Sequence, residues 1–260
     1  MQNPLRTMRR WVRLAALPTL GAFTLIALWW LIVRVFNVQA FILPAPDDIV
    51  KVFVTEAPDL LTQIPPTLVE TLEGFAAAAV GGLLIALAVT TSRTLYRMFY
   101  PLLVAANAVP KLALAPLVLA WFGPHQMSKV VLVFLVCFFP VVVSAVAGLT
   151  STPADLAELA RSLSASRSQA FQKVRLPGAL PHIFVGLRVA AGLAVIGAVI
   201  SEFSGAPEGL GYAVNAYSGQ GMAAEAFAAL ILLSVMSIAL YYPLVWLEKL
   251  LLPWAEATAG

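Results

Sequence analysis

Long apolar runs separated by short polar segments dominate the chain. A helix that crosses a lipid bilayer needs about 20 mostly apolar residues, and six of the runs reach this length. The pattern therefore predicts an all-α, polytopic membrane protein with one transmembrane domain over residues 1–260. The predicted spans cover residues 14–35, 67–90, 99–122, 130–150, 183–202 and 226–247.

The composition excludes soluble and disordered proteins. Hydrophobic residues make up 61% of the chain and charged residues 11%, against roughly 45–50% and about 25% in soluble domains. The 2 histidines and 1 cysteine allow no His/Cys metal cluster and no disulfide within the chain. The sequence also lacks a phosphate-binding loop and a nucleophile elbow, and in so apolar a chain a net charge of +3 is not a nucleic-acid signature. We expect no enzymatic activity and no nucleic-acid partner.

The basic residues predict the orientation of the chain, because cytoplasmic loops of membrane proteins carry an excess of Lys and Arg. With both termini inside, the outer segments hold only Arg34, Lys51 and Lys129, and Lys111 lies within the third span. The remaining basic residues are cytoplasmic: Arg6, Arg9, Arg10, Arg13, Arg93, Arg97, Arg161, Arg167, Lys173, Arg175, Arg188 and Lys249. We also expect the first span to be retained and not cleaved as a signal peptide.

Small residues recur at every fourth position in two of the spans. These stripes are Gly74, Ala78, Gly82 and Ala86 in span two, and Gly186, Ala190, Ala194 and Ala198 in span five. Lipid gives helices no hydrophobic reason to associate, so close packing through small residues matters in membranes. Each stripe either packs within the chain or lines a dimer seam or a moving gate.

Prolines and polar residues near the membrane mark candidates for a translocation path. Pro110, Pro116 and Pro140 predict bends, and such bends are tolerated where the freed carbonyls are buried in protein or line a cavity. Lys111 either attracts an anionic cargo or snorkels or pairs, for example with Glu202. Glu202 either contacts a partner or gate, or caps an interface. The full set of path candidates is Asn107, Lys111, Ser144, Ser201 and Glu202.

The long cytoplasmic loop at residues 151–182 contains two predicted amphipathic helices. Thr152, Pro153 and Asp155 form a helix start with Thr152 as the cap. One apolar face follows at i, i+3, i+4 and i+7 spacing: Leu156, Leu159, Ala160 and Leu163. A second helical piece carries Phe171 and Val174 on one side and is predicted to end at Leu176-Pro177. Such a pair either lies on the membrane surface or docks into a groove of a partner protein.

The same loop resembles the signature of binding-protein-dependent ABC importer permeases. Its Glu158-Leu159-Ala160, Ser164 and Val174–Pro177 are similar to the family's EAA, Gly and LP elements. Leu159 stands where the family has Ala, and Ser164 where it has Gly. Ser adopts a positive φ less easily than Gly but can cap the following helix, so the sequence leaves the turn geometry at residues 163–165 open. Further segments resemble the nitrate/sulfonate/taurine branch: residues 110–117, 121–123, 128–129, 139–142, 201–203 and 209–212.

The resemblance implies the fold of a type I ABC importer permease, whose cytoplasmic loop is a coupling helix. It implies a homodimer in the bacterial cytoplasmic membrane with two ATPase subunits, which bind ATP and Mg²⁺, and a periplasmic or lipid-anchored binding protein. The cargo it implies is nitrate, a sulfonate, taurine or a heterocyclic vitamin precursor, with a slight preference for the last. Residues expected at the ATPase contact are Leu156, Glu158, Leu159, Ala160, Leu163, Ser164, Arg167 and Phe171.

Two other classes of membrane protein compete with this interpretation. An ion- or proton-coupled carrier acting without an ATPase is disfavoured, because the sequence shows no inverted repeat and few intramembrane acids. A membrane-embedded enzyme is disfavoured because no cluster of His, Asp or Glu lies at membrane depth.

Overall fold

The computed structural model describes residues 4–256, which are helical with short connections and contain no strand. Thirteen α-helices follow one another: α1 Pro4–Val35, α2 Pro46–Thr55, α3 Ala57–Thr62, α4 Ile64–Thr90, α5 Arg93–Asn107, α6 Ala115–Phe122, α7 Gln126–Thr150, α8 Ala154–Ser162, α9 Arg167–Ala170, α10 Leu176–Phe203, α11 Leu210–Gly219, α12 Ala223–Leu251 and α13 Pro253–Glu256. A 3₁₀ turn, Lys111–Leu114, precedes α6, and a π-helical segment, Phe171–Arg175, joins α9 to α10.

Within residues 4–256, five helical segments are long and apolar enough to cross a membrane alone, and a bent pair passes the same test only when its two helices are taken together. In that pair, α5 and the segment 111–122 meet at 84°. Pro110 has an extended backbone with ψ 103° and no N–H to continue a helix. The prediction of one span over residues 99–122 is therefore wrong in its continuity, while the prediction of a proline bend is confirmed.

The two small-residue stripes pack against α7 within the same chain. A Cβ added at Gly82 would lie 2.9 Å from Val141 Cγ1, and one added at Gly186 would lie 2.6 Å from Ser144 Cβ. The alanines of both stripes are fully buried. Of the two roles considered for the stripes, the structure shows packing of α4 and α10 on α7.

The contacts of α7 give the bundle two ends. Arg175 meets the last turn of α7, while Glu70 and Lys129 meet near the first turns of α4 and α7. We call these the loop end and the opposite end. The segments 37–66 and 203–225 carry α2, α3 and α11 at the opposite end. Ile49, Leu60 and Leu210 from these helices join one apolar cluster with α12.

A surface ion pair fastens α2 to α1. Arg34 Nη2 donates to Asp47 Oδ2 over 2.7 Å, and the Trp30 indole donates to Asp47 Oδ1 over 3.1 Å. Partial desolvation raises the pKa of the Asp47 carboxyl, but the charges of Arg34 and Lys51 and its hydrogen bonds outweigh this, so its pKa lies below the ordinary value. The carboxylate form therefore holds the two helices together.

Candidate functional site

The face of α8 predicted to be apolar exists and is open. Leu156, Leu159 and Leu163 are 45%, 54% and 73% exposed. They border a groove of about 310 Å³ between α8 and the segment 169–174, which Ala160 and Val174 also line. An apolar groove on a loop outside the membrane bundle is suited to receive another protein surface.

The turn after α8 is a Schellman motif with Ser164 in the left-handed position. The Ala165 N–H donates to Ala160 O over 3.0 Å, and the Ser164 N–H donates to Arg161 O over 2.9 Å. Ser164 has φ +52°, the conformation that this motif usually reserves for Gly. Of the two possibilities left open for Ser164, the structure shows the left-handed turn, which the two backbone hydrogen bonds favour.

Ser166, and not Ser164, is the residue that caps α9. Its hydroxyl accepts from the Gln169 N–H over 3.3 Å, and its own N–H donates to Gln169 Oε1 over 2.9 Å, which is a capping box. At the start of α8 the capping residue is Pro153, which makes no side-chain hydrogen bond, so the predicted cap by Thr152 is wrong.

The second helical piece does not end at Leu176-Pro177. It continues through the π-helical segment into α10, giving one helix over Arg167–Phe203. Pro177 lies inside this continuous helix, directly after the π-helical segment, so its missing N–H removes one backbone hydrogen bond there. Phe171 turns inward and packs against the cluster formed by α4, α7 and α10. The loop is thus built onto the same helix that crosses the membrane.

Arg175 joins the two ends of the loop, and the sequence did not single it out for this role. Its Nη2 and Nε donate to Leu149 O over 2.9 and 3.3 Å. A cation is favourable at the carbonyl end of a helix, so the sequence supplies the chemistry of this contact. It does not reveal that residues 149 and 175 meet.

The remaining residues predicted at the ATPase contact lie on the loop surface. Glu158 and Arg167 are exposed. With the leucines, Ala160 and the Ser164 turn, they form a single outward-facing unit over residues 154–174. Phe171 alone among the predicted contact residues lies beneath it.

A buried charged cluster lies at the opposite end of the bundle. Lys129 Nζ of α7 lies 3.2 Å from Glu70 Oε2 of α4, and the side chains are 10% and 0% exposed. Glu202 of α10, itself 1% exposed, lies close to Glu70. Two acidic side chains and one basic side chain are therefore buried together where three helices meet.

Glu202 also holds the connection between α10 and α11. The Thr67 hydroxyl donates to Glu202 Oε1 over 2.6 Å, and the Gly211 N–H donates to Glu202 Oε2 over 2.5 Å. Gly209 has φ +117°, and a Cβ there would collide with the same carboxyl. The geometry thus gives Glu202 a role that the sequence did not suggest: its carboxylate joins α4, α10 and the 204–211 turn through hydrogen bonds within the chain.

Lys111 satisfies the carbonyl group freed by the bend in the third crossing. Its ammonium donates to Asn107 O and, over 2.9 Å, to Asn107 Oδ1, and it lies 5.1 Å from the centroid of the Phe139 ring. The pairing with Glu202 considered from the sequence does not occur. Lys111 is half-buried and Asn107 is exposed, so these two remain accessible in the single chain.

Ser144 and Ser201 lie between helices. Ser201 is buried and donates to Ala198 O over 2.6 Å, within its own helix. Ser144 is in close contact with the Gly186 backbone. The structure does not bring the five predicted path residues together: Asn107 and Lys111 form one pair, and Ser201 and Glu202 lie next to each other on another helix.

Comparisons with known proteins agree with this architecture. A sequence model of the family described as "binding-protein-dependent transport system inner membrane component" matches residues 78–256. The formylaminopyrimidine transport permease protein ThiX of Halalkalibacterium halodurans is 37% identical over 92% of this chain and 96% of its own length. The taurine transport system permease protein TauC of Escherichia coli is 31% identical over 88% of this chain and 86% of its own.

A solved structure shares the fold. A chain from the crystal structure of an amino acid ABC transporter with histidines superposes with a TM-score of 0.57 at 19% identity. The superposition covers 77% of this chain and 96% of that one.

Proposed function

The chain belongs to the family of binding-protein-dependent inner-membrane transport components, as the non-enzymatic permease subunit of an ABC transporter, and we propose that two copies form its translocation path. In this proposal residues 1–260 are one permease domain, and both termini and the loop end face the cytoplasm. The placement of Arg93, Arg97, Arg161 and Lys173 near that end supports the orientation.

The exposed groove beside α8 carries the proposal. Three leucines stand out from a loop at one end of the bundle, on a scaffold fixed by a Schellman turn and a capping box. Helix-in-groove contacts of this kind bury leucines spaced three or four residues apart. We propose that each copy docks this unit into one ATPase subunit, and that the ATPase binds ATP and Mg²⁺.

Association with an ATPase subunit tests this proposal. Leu159→Asp places a charge in the groove, while Leu61→Asp alters a leucine of equal exposure, 54%, in α3 at the opposite end. We expect the Leu159 variant to insert into the membrane but to purify without the ATPase, and the Leu61 variant to retain it in full ratio. Unchanged ATPase content in both variants contradicts the proposed contact.

We propose a small nitrogen heterocycle as the cargo, delivered by a soluble binding protein. Relatives named for formylaminopyrimidine and for riboflavin transport are each 37% identical to this chain over the matched residues, against 31% to 33% for the taurine and sulfonate permeases. Asn107 and Lys111 at the bend are the path residues that this proposal keeps, because they remain accessible. Thermal shift of the partner binding protein with formylaminopyrimidine, riboflavin and taurine separates the candidates; stabilisation by taurine alone contradicts the heterocycle.

A further inference from the structure

The loop that carries α8 is closed at its base by one side chain. The chain leaves the bundle at the end of α7 and returns at the π-helical segment. There the Arg175 guanidinium donates twice to the Leu149 carbonyl. Leu149 is 1% exposed, so the contact lies against the helical core and not at the loop tip.

The Leu149 carbonyl depends on this contact. The last four carbonyls of a helix lack intrahelical partners. In a longer helix the donor to Leu149 O would be the N–H of residue 153, but that residue is Pro153, which has none. Arg175 therefore supplies side-chain donors in place of the backbone N–H that Pro153 lacks.

Arg175 lies where three structural segments meet: the groove beside α8, α10 and the end of α7. It ends the π-helical segment, a geometry that is frequent at functional sites. On one side of that segment Val174 lines the groove beside α8, and on the other Phe171 packs on the helical core. The segment continues into α10, while the guanidinium reaches across to α7.

We propose that Arg175 is a positioning residue that makes α7 follow the cytoplasmic loop when the ATPase moves it. This inference rests on the docking role proposed above. A displacement of α8 reaches α10 directly, because the two are joined through α9 and the π-helical segment. Along the backbone it reaches α7 only through residues 151–153, which are not helical, and between helices it reaches α7 by the packing of α10, for example at Gly148 and Ala179. The Arg175–Leu149 contact bypasses that weak backbone connection.

Distances between spin labels in the complete permease–ATPase complex test the proposal without knowledge of the cargo. The buried Cys137 is first replaced by Ala, and one cysteine per chain is then added at an exposed site. Ser162→Cys reports on α8, and Ala147→Cys reports on α7. Intersubunit distances are measured without nucleotide and after trapping with ATP, Mg²⁺ and vanadate.

We expect both labels to shift on trapping in the unaltered complex. With Arg175→Met, which keeps an unbranched side chain without donors, the Ser162→Cys shift should remain and the Ala147→Cys shift should be lost. Arg175→Lys, which retains a cationic donor, should restore the α7 shift. Arg93→Met removes a basic residue at the start of α5 and should leave both shifts unchanged.

Three results overturn the inference. The first is an unchanged α7 shift in Arg175→Met. The second is a loss that Arg175→Lys does not restore, which would indicate a packing role. The third is loss of both shifts in Arg175→Met, which would place Arg175 in docking or folding. Absence of any shift in the unaltered complex would instead contradict the docking proposal itself.

Discussion

Removal of the buried ammonium group at the opposite end should strongly destabilise the bundle. Lys129→Met replaces the side chain by an uncharged one of similar length. Glu70 is then left with a fully buried carboxyl group, and neither of its oxygens accepts a hydrogen bond within the described part of the chain. The neighbouring carboxyl of Glu202 lies close to the same group and supplies no positive charge in place of the ammonium.

The size of the effect follows from the burial of the pair. Breaking a buried ion pair by removal of one partner costs about 3–5 kcal/mol, because it strands a charge away from water. The side chains here are 10% and 0% exposed, which places the pair in that class. In a chain of this size, 1 kcal/mol corresponds to about 2–4 °C in the unfolding midpoint, so we expect a fall on the order of 10 °C.

Thermal unfolding in detergent, followed by size-exclusion fluorescence, measures this change. The double variant Glu70→Gln/Lys129→Met removes the stranded charge and should recover most of the lost midpoint. Two outcomes refute the reasoning. The first is a Lys129→Met midpoint within 2 °C of the unaltered protein, which corresponds to a loss of no more than about 1 kcal/mol. The second is a double variant that is no more stable than the single one.

Three further predictions concern stability, each followed by the thermal midpoint in detergent. Ser164→Gly should stabilise the chain by up to about 1 kcal/mol, because it relieves a left-handed residue, and Ser164→Val should destabilise it; equal midpoints contradict the strain. Gly82→Ala should cost about 1–3 kcal/mol by overpacking against α7, whereas Gly192→Ala, with no atom within 4 Å of the new Cβ, should be neutral or stabilising; a reversed order refutes the packing. Asp47→Asn should lower the midpoint at neutral pH, and the difference should vanish only as pH falls through the lowered pKa of Asp47, since protonation then breaks the contact with Arg34; a difference that does not depend on pH contradicts the ion pair.

Local patterns in the sequence predicted most of the helices. Apolar run length is enough to place a span, and Pro110 was enough to indicate a bend, because both effects act within one helix. The amphipathic spacing of the leucines likewise placed α8. At the opposite end, α2 and α11 are stabilised by burial against α12, and no local pattern encodes that contact.

The site was predicted less completely, since its decisive contacts join distant residues. The sequence shows that Glu70 and Lys129 carry opposite charges, but not that they meet. It likewise shows that Arg175 offers donors, but not that they reach the Leu149 carbonyl. Ser164 shows a second limit. Its intrinsic preference argued against a positive φ, yet two backbone hydrogen bonds outweighed that preference. Where tertiary contacts are strong enough to override a local cost, the sequence rule points the wrong way.

The unbroken helix from Arg167 to Phe203 has a consequence for distance. At 1.5 Å per residue its 37 residues measure about 55 Å, while the hydrocarbon layer is about 30 Å thick. The helix is therefore longer than the hydrocarbon layer is thick, and its turns before Leu176 belong to the loop end. A motor subunit seated on those turns would tilt the helix as a whole, so its motion would be felt at the other end, where Glu202 lies.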